Sequence, residues 1–497
     1  MYRPARVLIV ALCFITLFVA TFFPLNSDDL FMYLALGRRL LDGGLPSSDP
    51  FLLLGSNTPW HVSHEWGAYV YYFFIYQVGG FTALIAMNAL LLTGMGFLAA
   101  LPAIRQKNFL PLLVLPPAVY AGSLRFSPKA SIFSDFFTLL LVVLSPRQLP
   151  CRSPRLWRLV APVFFVLWAN LHPGFLFGLG ILGLMVLDRI LQRDWIGAKI
   201  LGQSLALSLL ACLFNPLGPE GFLYPLQRVL SPDWAIFRDH FLEWMPTFVP
   251  GSLQVAEVWA LLWVWLITAL VLMVNLIFKG WKEKPFLDLV FFAFFVFLGS
   301  NAVRFMLLSS LVSFALFCRQ LVQLPALQNV GSSAAAGGAA GLLQLALLTS
   351  ILTFGYPTYV GPMHPGFGIS QSALPELAAD FLESHPFPGN IFNETDWGSY
   401  LAWRWDGTRK VFYHGHIDDP SFLQREFLAA YRTPEEFENL VRTNNIGVFL
   451  LRQRNLVDGG PMAMQNLIAA MRRGLWRMVY QDDLAVIVIR QPTTEAH

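Results

Sequence analysis

Charge is scarce in this 497-residue chain: Asp, Glu, Lys and Arg together make up 13% of it, against roughly 25% in soluble globular proteins. The shortage is uneven, with 37 charged residues among the first 357 positions and 28 among the last 140. The first part therefore has the composition of a membrane protein and the second that of a soluble domain. A net charge of +3, scattered along the chain, excludes a polyanion-binding surface. Cysteine is also rare. Cys13, Cys151, Cys212 and Cys318 have neither the paired spacing of a zinc site nor that of a disulfide framework. The last 140 residues lack a GxGxxG, P-loop or GxSxG motif, so dinucleotide, nucleotide and serine-esterase chemistry have no support there.

What is abundant is apolar surface. Hydrophobic residues make up 56% of the chain and mean hydropathy is +0.55. Runs able to cross ~30 Å of hydrocarbon lie near 7–25, 79–103, 109–123, 131–145, 159–171, 174–190, 198–214, 253–278, 285–301, 303–318 and 339–357. This predicts a mostly α, polytopic transmembrane bundle of about 11 spans. The first run follows Arg3 and Arg6, and Thr21-Phe22-Phe23-Pro24 lacks the small residues of a cleavage site, which predicts an uncleaved anchor. With the N-terminus cytoplasmic, 15 of the first 22 Lys and Arg fall on the inside, as the positive-inside rule requires. The expected location is the inner (plasma) membrane, with the C-terminal domain extracytoplasmic or periplasmic. Residues 1–360 form the bundle and 361–497 an α/β domain, with strands near 389–393, 410–414, 446–451, 476–480 and 484–490. Gly331–Gly341 (GSSAAAGGAAG) reads as a flexible linker.

Polar residues gather in the outer loops. The first, residues 26–80, opens with Asp28 and Asp29 at the end of the first span. An amphipathic stretch follows (Leu30, Tyr33, Leu34, Leu40, Leu41), broken by Arg38 and Arg39, and predicts a helix lying in the membrane interface. Then come a turn-rich stretch, Pro46-Ser47-Ser48-Asp49-Pro50, and the cluster Trp60-His61-Val62-Ser63-His64-Glu65-Trp66. The two acids suit a helix cap, a general base or a metal ligand. His61, His64 and Glu65 lack the HExxH order of zinc proteases and read as structure or substrate contact. Arg125 and Lys129, then Asp135, His172, a loop holding Glu220, Arg238, Asp239, His240, Glu243 and Trp244, and Arg304 add polar groups at the same face. Cations at that depth need water, a headgroup or an anionic ligand, and several together fit a lipid-linked phosphate. His414-Gly415-His416-Ile417-Asp418-Asp419 follows an expected strand and reads as a polar turn or a metal site.

These residues resemble the bacterial polytopic proteins of the GT-C glycosyltransferase superfamily. The resemblance rests on Asp29-Leu30-Phe31-Met32-Tyr33-Leu34-Ala35-Leu36-Gly37, on Pro46-Ser47-Ser48-Asp49-Pro50-Phe51, and on Trp60 through Glu65-Trp66. It extends to Arg125 with Pro128, Asn170-Leu171-His172, Asn215-Pro216 and Gly398-Ser399-Tyr400-Leu401. Phe31, Met32 and Tyr33 replace the aromatic pair and histidine of many members. The resemblance implies a GT-C-like bundle that transfers a hexose or pentose, with inversion, from a polyprenyl-phosphate donor to a lipid, glycan or protein acceptor. Asp29 would be the general base, and Asp28 would orient the acceptor or ligate a divalent cation such as Mg or Mn. Arg125, Lys129 and Arg304 would stabilise the departing phosphate, while His172, Glu65, His64 and Arg38 complete the expected substrate site. A lipid-linked glycan transporter would instead spread ionisable groups through the midplane and show repeats. A catalytically silent scaffold with a partner-binding outer domain would be indifferent to Asp29.

Overall fold

The structure, a computed structural model, describes residues 3–44, 46, 48–54, 64–144, 154–279, 285–358, 362–417, 419–457 and 463–491. Trp60, His61, Arg147, Arg152, Lys282, Lys284 and Asp418 lie outside the described residues. The chain divides into two compact units. One comprises Met1–Pro24, Thr82–Ser231 and Phe237–Phe367; the other comprises Leu25–Phe81, Pro232–Ile236 and Gly368–His497.

The first unit is a polytopic helix bundle. Ten of the eleven expected runs correspond to single helices or, for 79–103, to the second half of Trp66–Arg105. Residues 109–123 do not. Pro111, Pro116 and Pro117 remove backbone donors, and the segment breaks into a turn at Leu110–Leu113 and a short helix, Leu115–Tyr120. Among the described residues, five helices are long and apolar enough to cross a membrane: Pro4–Thr21, Trp66–Arg105, Ala256–Phe278, Val303–Leu321 and Ala334–Phe354. The Ala256–Phe278 helix shows why such surfaces need lipid. Trp259, Trp263, Leu266, Leu270, Met273 and Ile277 form an exposed stripe at helical spacing, while Val258, Leu261, Val264, Thr268 and Leu272 are buried. Water would penalise that stripe heavily; hydrocarbon does not.

Gly331–Gly341 is not a flexible joint. Ser333 accepts a hydrogen bond from the Ala336 amide and caps the helix Ala334–Phe354. The alanines supply the highest helix propensity available. Deeper in the bundle, Asp288 and Arg319 form a two-pronged ion pair (Nε–Oδ2 3.0 Å, Nη2–Oδ1 2.5 Å), and Arg319 Nη1 donates to the Val142 carbonyl at 2.9 Å. That one guanidinium ties together the helices Phe286–Asn301, Met306–Leu321 and Ser131–Leu144.

The second unit holds a four-stranded sheet of order β1-β2-β4-β3, with β1 Asn390–Asn393, β2 Ile446–Arg452, β3 Trp476–Gln481 and β4 Ala485–Arg490. β1 and β2 are parallel, and the other neighbours are antiparallel. Residues 410–414, expected as a strand, pair instead with the first outer loop. The Val411 amide donates to the Phe51 carbonyl at 3.0 Å and the Leu53 amide donates to the Val411 carbonyl at 2.8 Å. The Asn393 carboxamide completes their pairing, accepting from the Phe412 amide and donating to the Tyr413 carbonyl, both at 2.8 Å.

The helix Asp28–Gly43 is more deeply buried than its amphipathic pattern predicts. Leu30 through Leu36 are buried all round, so its first two turns are core and not an interfacial face. Phe31 meets Tyr400 edge-on at 5.0 Å between ring centroids. At Gly37 a Cβ would sit 2.5 Å from the Tyr69 carbonyl oxygen, so only glycine allows this approach. The aromatic helix that begins at Trp66 ends at a kink through Gly79 and Gly80, the latter at φ 61°. The boundary between the two units falls at the same place.

Candidate functional site

In the bundle unit, cations collect around the start of the helix Ser131–Leu144. Arg125 is buried; its Nη1 lies 2.6 Å from Glu243 Oε2 and its Nη2 donates to Ser131 Oγ at 3.2 Å. Lys129 Nζ reaches the same Glu243 oxygen at 3.2 Å. Arg304 stacks on Trp244, 4.0 Å from the ring centroid. Burial opposes ionisation of Glu243, but Lys129, Arg125 and Arg304 outweigh it and hold the carboxyl well below the usual range. Three cations against Glu243 and the buried Asp135 leave the cluster net positive.

His172 belongs to the same neighbourhood. Trp168 Nε1 donates to Ser134 Oγ at 2.7 Å, and Ser134 Oγ lies 2.7 Å from His172 Nδ1. The Gly174 amide also donates to that nitrogen, at 3.1 Å. With Nδ1 an acceptor, the ring proton belongs on Nε2. His172 is therefore held in its Nε2–H tautomer. Arg125 with Lys129, His172 and Arg304, from three separate stretches of the chain, are brought together in one unit.

The acids lie in the other unit. Asp28 Oδ1 accepts from the Tyr400 amide at 2.7 Å and Oδ2 from the Ser399 amide at 3.1 Å. It thereby caps the helix Gly398–Trp405 from outside. Burial raises its pKa well above the usual range, against the lowering pull of those bonds. Asp29, one residue on, is half-buried. A Cβ built on the exposed Gly415 would stand 3.2 Å from Asp29 Oδ1, so bare backbone borders this carboxylate. Tyr33 stacks on Tyr69 and Tyr72 and meets His416 edge-on at 5.2 Å.

The remaining expected residues have other surroundings. His64 Nε2 is 3.7 Å from Glu65 Oε1, with both side chains largely buried. Arg38 Nη2 pairs with Asp406 at 2.9 Å and donates to the Trp403 carbonyl at 3.1 Å. It straps the end of the Gly398–Trp405 helix, whose last carbonyls attract a cation.

No family model and no curated protein matches the chain. Solved structures do. ArnT from Cupriavidus metallidurans, bound to undecaprenyl phosphate, shares 12% identity over 98% of each chain, with a TM-score of 0.54. The archaeal oligosaccharyltransferase AglB from Archaeoglobus fulgidus, in complex with an inhibitory peptide and a dolichol-phosphate, shares 14% identity at a TM-score of 0.53, covering 90% of this chain and 69% of that one. The same organism's oligosaccharyltransferase, in a complex with Zn and sulfate, aligns over 98% of this chain and 72% of its own at a TM-score of 0.50 and 13% identity. The chain has the GT-C fold.

The possible divalent cation finds no cluster of ligands among the described residues. No group of three or more His, Cys, Asp or Glu side chains among them could hold one, and both oxygens of Asp28 are engaged by backbone amides. Two participants of the acid region escape a reading by sequence. Asp49 and His414, 365 positions apart, form a buried hydrogen bond of 2.7 Å. Each sits in a motif visible in the chain, but nothing local joins them. Glu243, the carboxylate shared by Arg125 and Lys129, carried no more signal than any other acid in its loop.

Proposed function

We propose that this protein is a membrane glycosyltransferase that moves a sugar from a polyprenyl-phosphate donor to an extracytoplasmic acceptor with inversion. The observation that carries the reading is the convergence of Arg125, Lys129, Arg304 and the His172 ring at the start of one helix. Such a set neutralises a departing phosphate through charge and fixed N–H donors. Similarity of fold to proteins solved with undecaprenyl phosphate and with dolichol-phosphate supports the same donor class.

Asp29 takes the proton of the acceptor hydroxyl as its oxygen attacks the anomeric carbon. The bond from that carbon to the phosphate oxygen breaks on the opposite side, and polyprenyl phosphate leaves with the electron pair. One positioned base contributes typically ~10²–10⁴-fold. Asp28 holds the start of the Gly398–Trp405 helix and thereby fixes its neighbour. The N-terminus is cytoplasmic and the domain of residues 361–497 extracytoplasmic, in keeping with the Lys and Arg bias of the loops.

The test is turnover by Asp29→Asn in full-length protein. Release of undecaprenyl phosphate from an undecaprenyl-phosphate-linked sugar, in membranes that retain their own acceptors, should fall by roughly 10²-fold or more, with expression and folding retained. Wild-type release by the variant would refute the base assignment.

A further inference from the structure

We propose that Asp49 and His414 are a positioning pair that sets the backbone of Gly415 and His416 beside Asp29 and so shapes the acceptor end of the reaction. His414 is fully buried and Asp49 nearly so. The His416 amide donates to His414 Nδ1 at 3.2 Å, so Nδ1 is an acceptor and the ring proton sits on Nε2. From there it is donated to Asp49 Oδ2 at 2.7 Å. The other Asp49 oxygen is held by the Phe51 and Leu52 amides at 2.8 and 3.0 Å. One carboxylate thus anchors the first outer loop and chooses the tautomer of a histidine far along the chain.

That tautomer closes the 414–416 turn. The turn in turn puts an exposed glycine where a Cβ would stand 3.2 Å from Asp29 Oδ1 and 4.0 Å from Asp28 Oδ2. Gly415 is not at positive φ, so its backbone does not require glycine. A side chain there would crowd the Asp29 carboxylate, so it is the backbone of this turn that borders the group. The inference rests on Asp29 being the base.

Asp49→Asn is the sharpest perturbation. An asparagine oxygen can still accept from Phe51 and Leu52, but its amide then points N–H groups at His414 Nε2. The histidine must move its proton to Nδ1, where it opposes the His416 amide and opens the turn. A wrong tautomer in an intact fold is a known way to lose turnover. In the full-length protein we expect release of undecaprenyl phosphate from an undecaprenyl-phosphate-linked sugar to slow by roughly 10²-fold. Binding of undecaprenyl phosphate alone should stay within about twofold. ¹⁵N spectra of histidine-labelled protein should show one neutral ring changing tautomer between wild type and variant. Gly415→Ala keeps the Asp49–His414 bond and should also slow release, and it carries the test if Asp49→Asn does not fold. If Asp29→Asn is inactive while both variants release prenyl phosphate at the wild-type rate, the positioning role is overturned. If Asp29→Asn itself turns over normally, the base reading falls and the pair loses its role with it.

Discussion

Asp28 and Asp29 are adjacent carboxylates with opposite expected responses to the same conservative change. Asp28→Asn keeps one acceptor for the Tyr400 or Ser399 amide and turns an N–H toward the other, so one of the bonds at 2.7 and 3.1 Å is lost. A neutral hydrogen bond is worth about 0.5–1.5 kcal/mol, and a buried N–H left without its acceptor costs about 1–3 kcal/mol. The net cost is about 1–3 kcal/mol. For a unit of this size that is a fall of several degrees in Tm, read by thermal unfolding of the full chain in detergent. Asp29→Asn removes the proposed base and should abolish sugar transfer. The division of labour would be refuted by Asp29→Asn with turnover intact, or by Asp28→Asn losing turnover with no change in Tm.

Three other outcomes follow from the geometry. Burial raises the Glu394 carboxyl to about 7. Its neutral form is thus favoured in the folded state, and the stabilisation is fully present below about pH 4.5. It disappears as pH rises through about 7, a change of ~3 kcal/mol; amide protection of β1 and β2 should track it, and Glu394→Gln should flatten the dependence. Arg319→Met strands the buried Asp288 carboxylate and should destabilise the bundle by about 3–5 kcal/mol, with Asp288→Asn in the same chain restoring most of the thermal stability. Arg125→Ala and Arg304→Ala should each weaken undecaprenyl phosphate binding by roughly tenfold to hundredfold, seen by titration with the lipid in detergent, whereas Arg38→Ala should leave it unchanged.

Hydrophobic run length carried most of the bundle, because a helix in hydrocarbon must satisfy its own backbone. The exceptions have local causes. Three prolines broke the 109–123 run, and an alanine-rich stretch read as linker became helix behind the cap of Ser333. In the second unit β1, β2, β3 and β4 were legible from β-branched and aromatic runs. Residues 410–414 carry the same pattern, yet their partner is the first outer loop, a pairing that only long-range packing decides. The candidate residues Arg125, Lys129, His172 and Arg304 were visible because cations and histidine at membrane depth are costly without a purpose. Asp49 and His414 were harder to join. Each is an ordinary turn residue until the fold brings 365 positions of separation down to one hydrogen bond.

The most direct measurement is made on the purified full chain in liposomes containing an undecaprenyl-phosphate-linked sugar and membrane-derived acceptors, with both lipid products followed by mass spectrometry. Sugar should leave the donor and appear on an acceptor, free undecaprenyl phosphate should accumulate, and Asp29→Asn should stop both. Donor recovered intact, whether in its original leaflet or moved across the bilayer, would contradict glycosyl transfer.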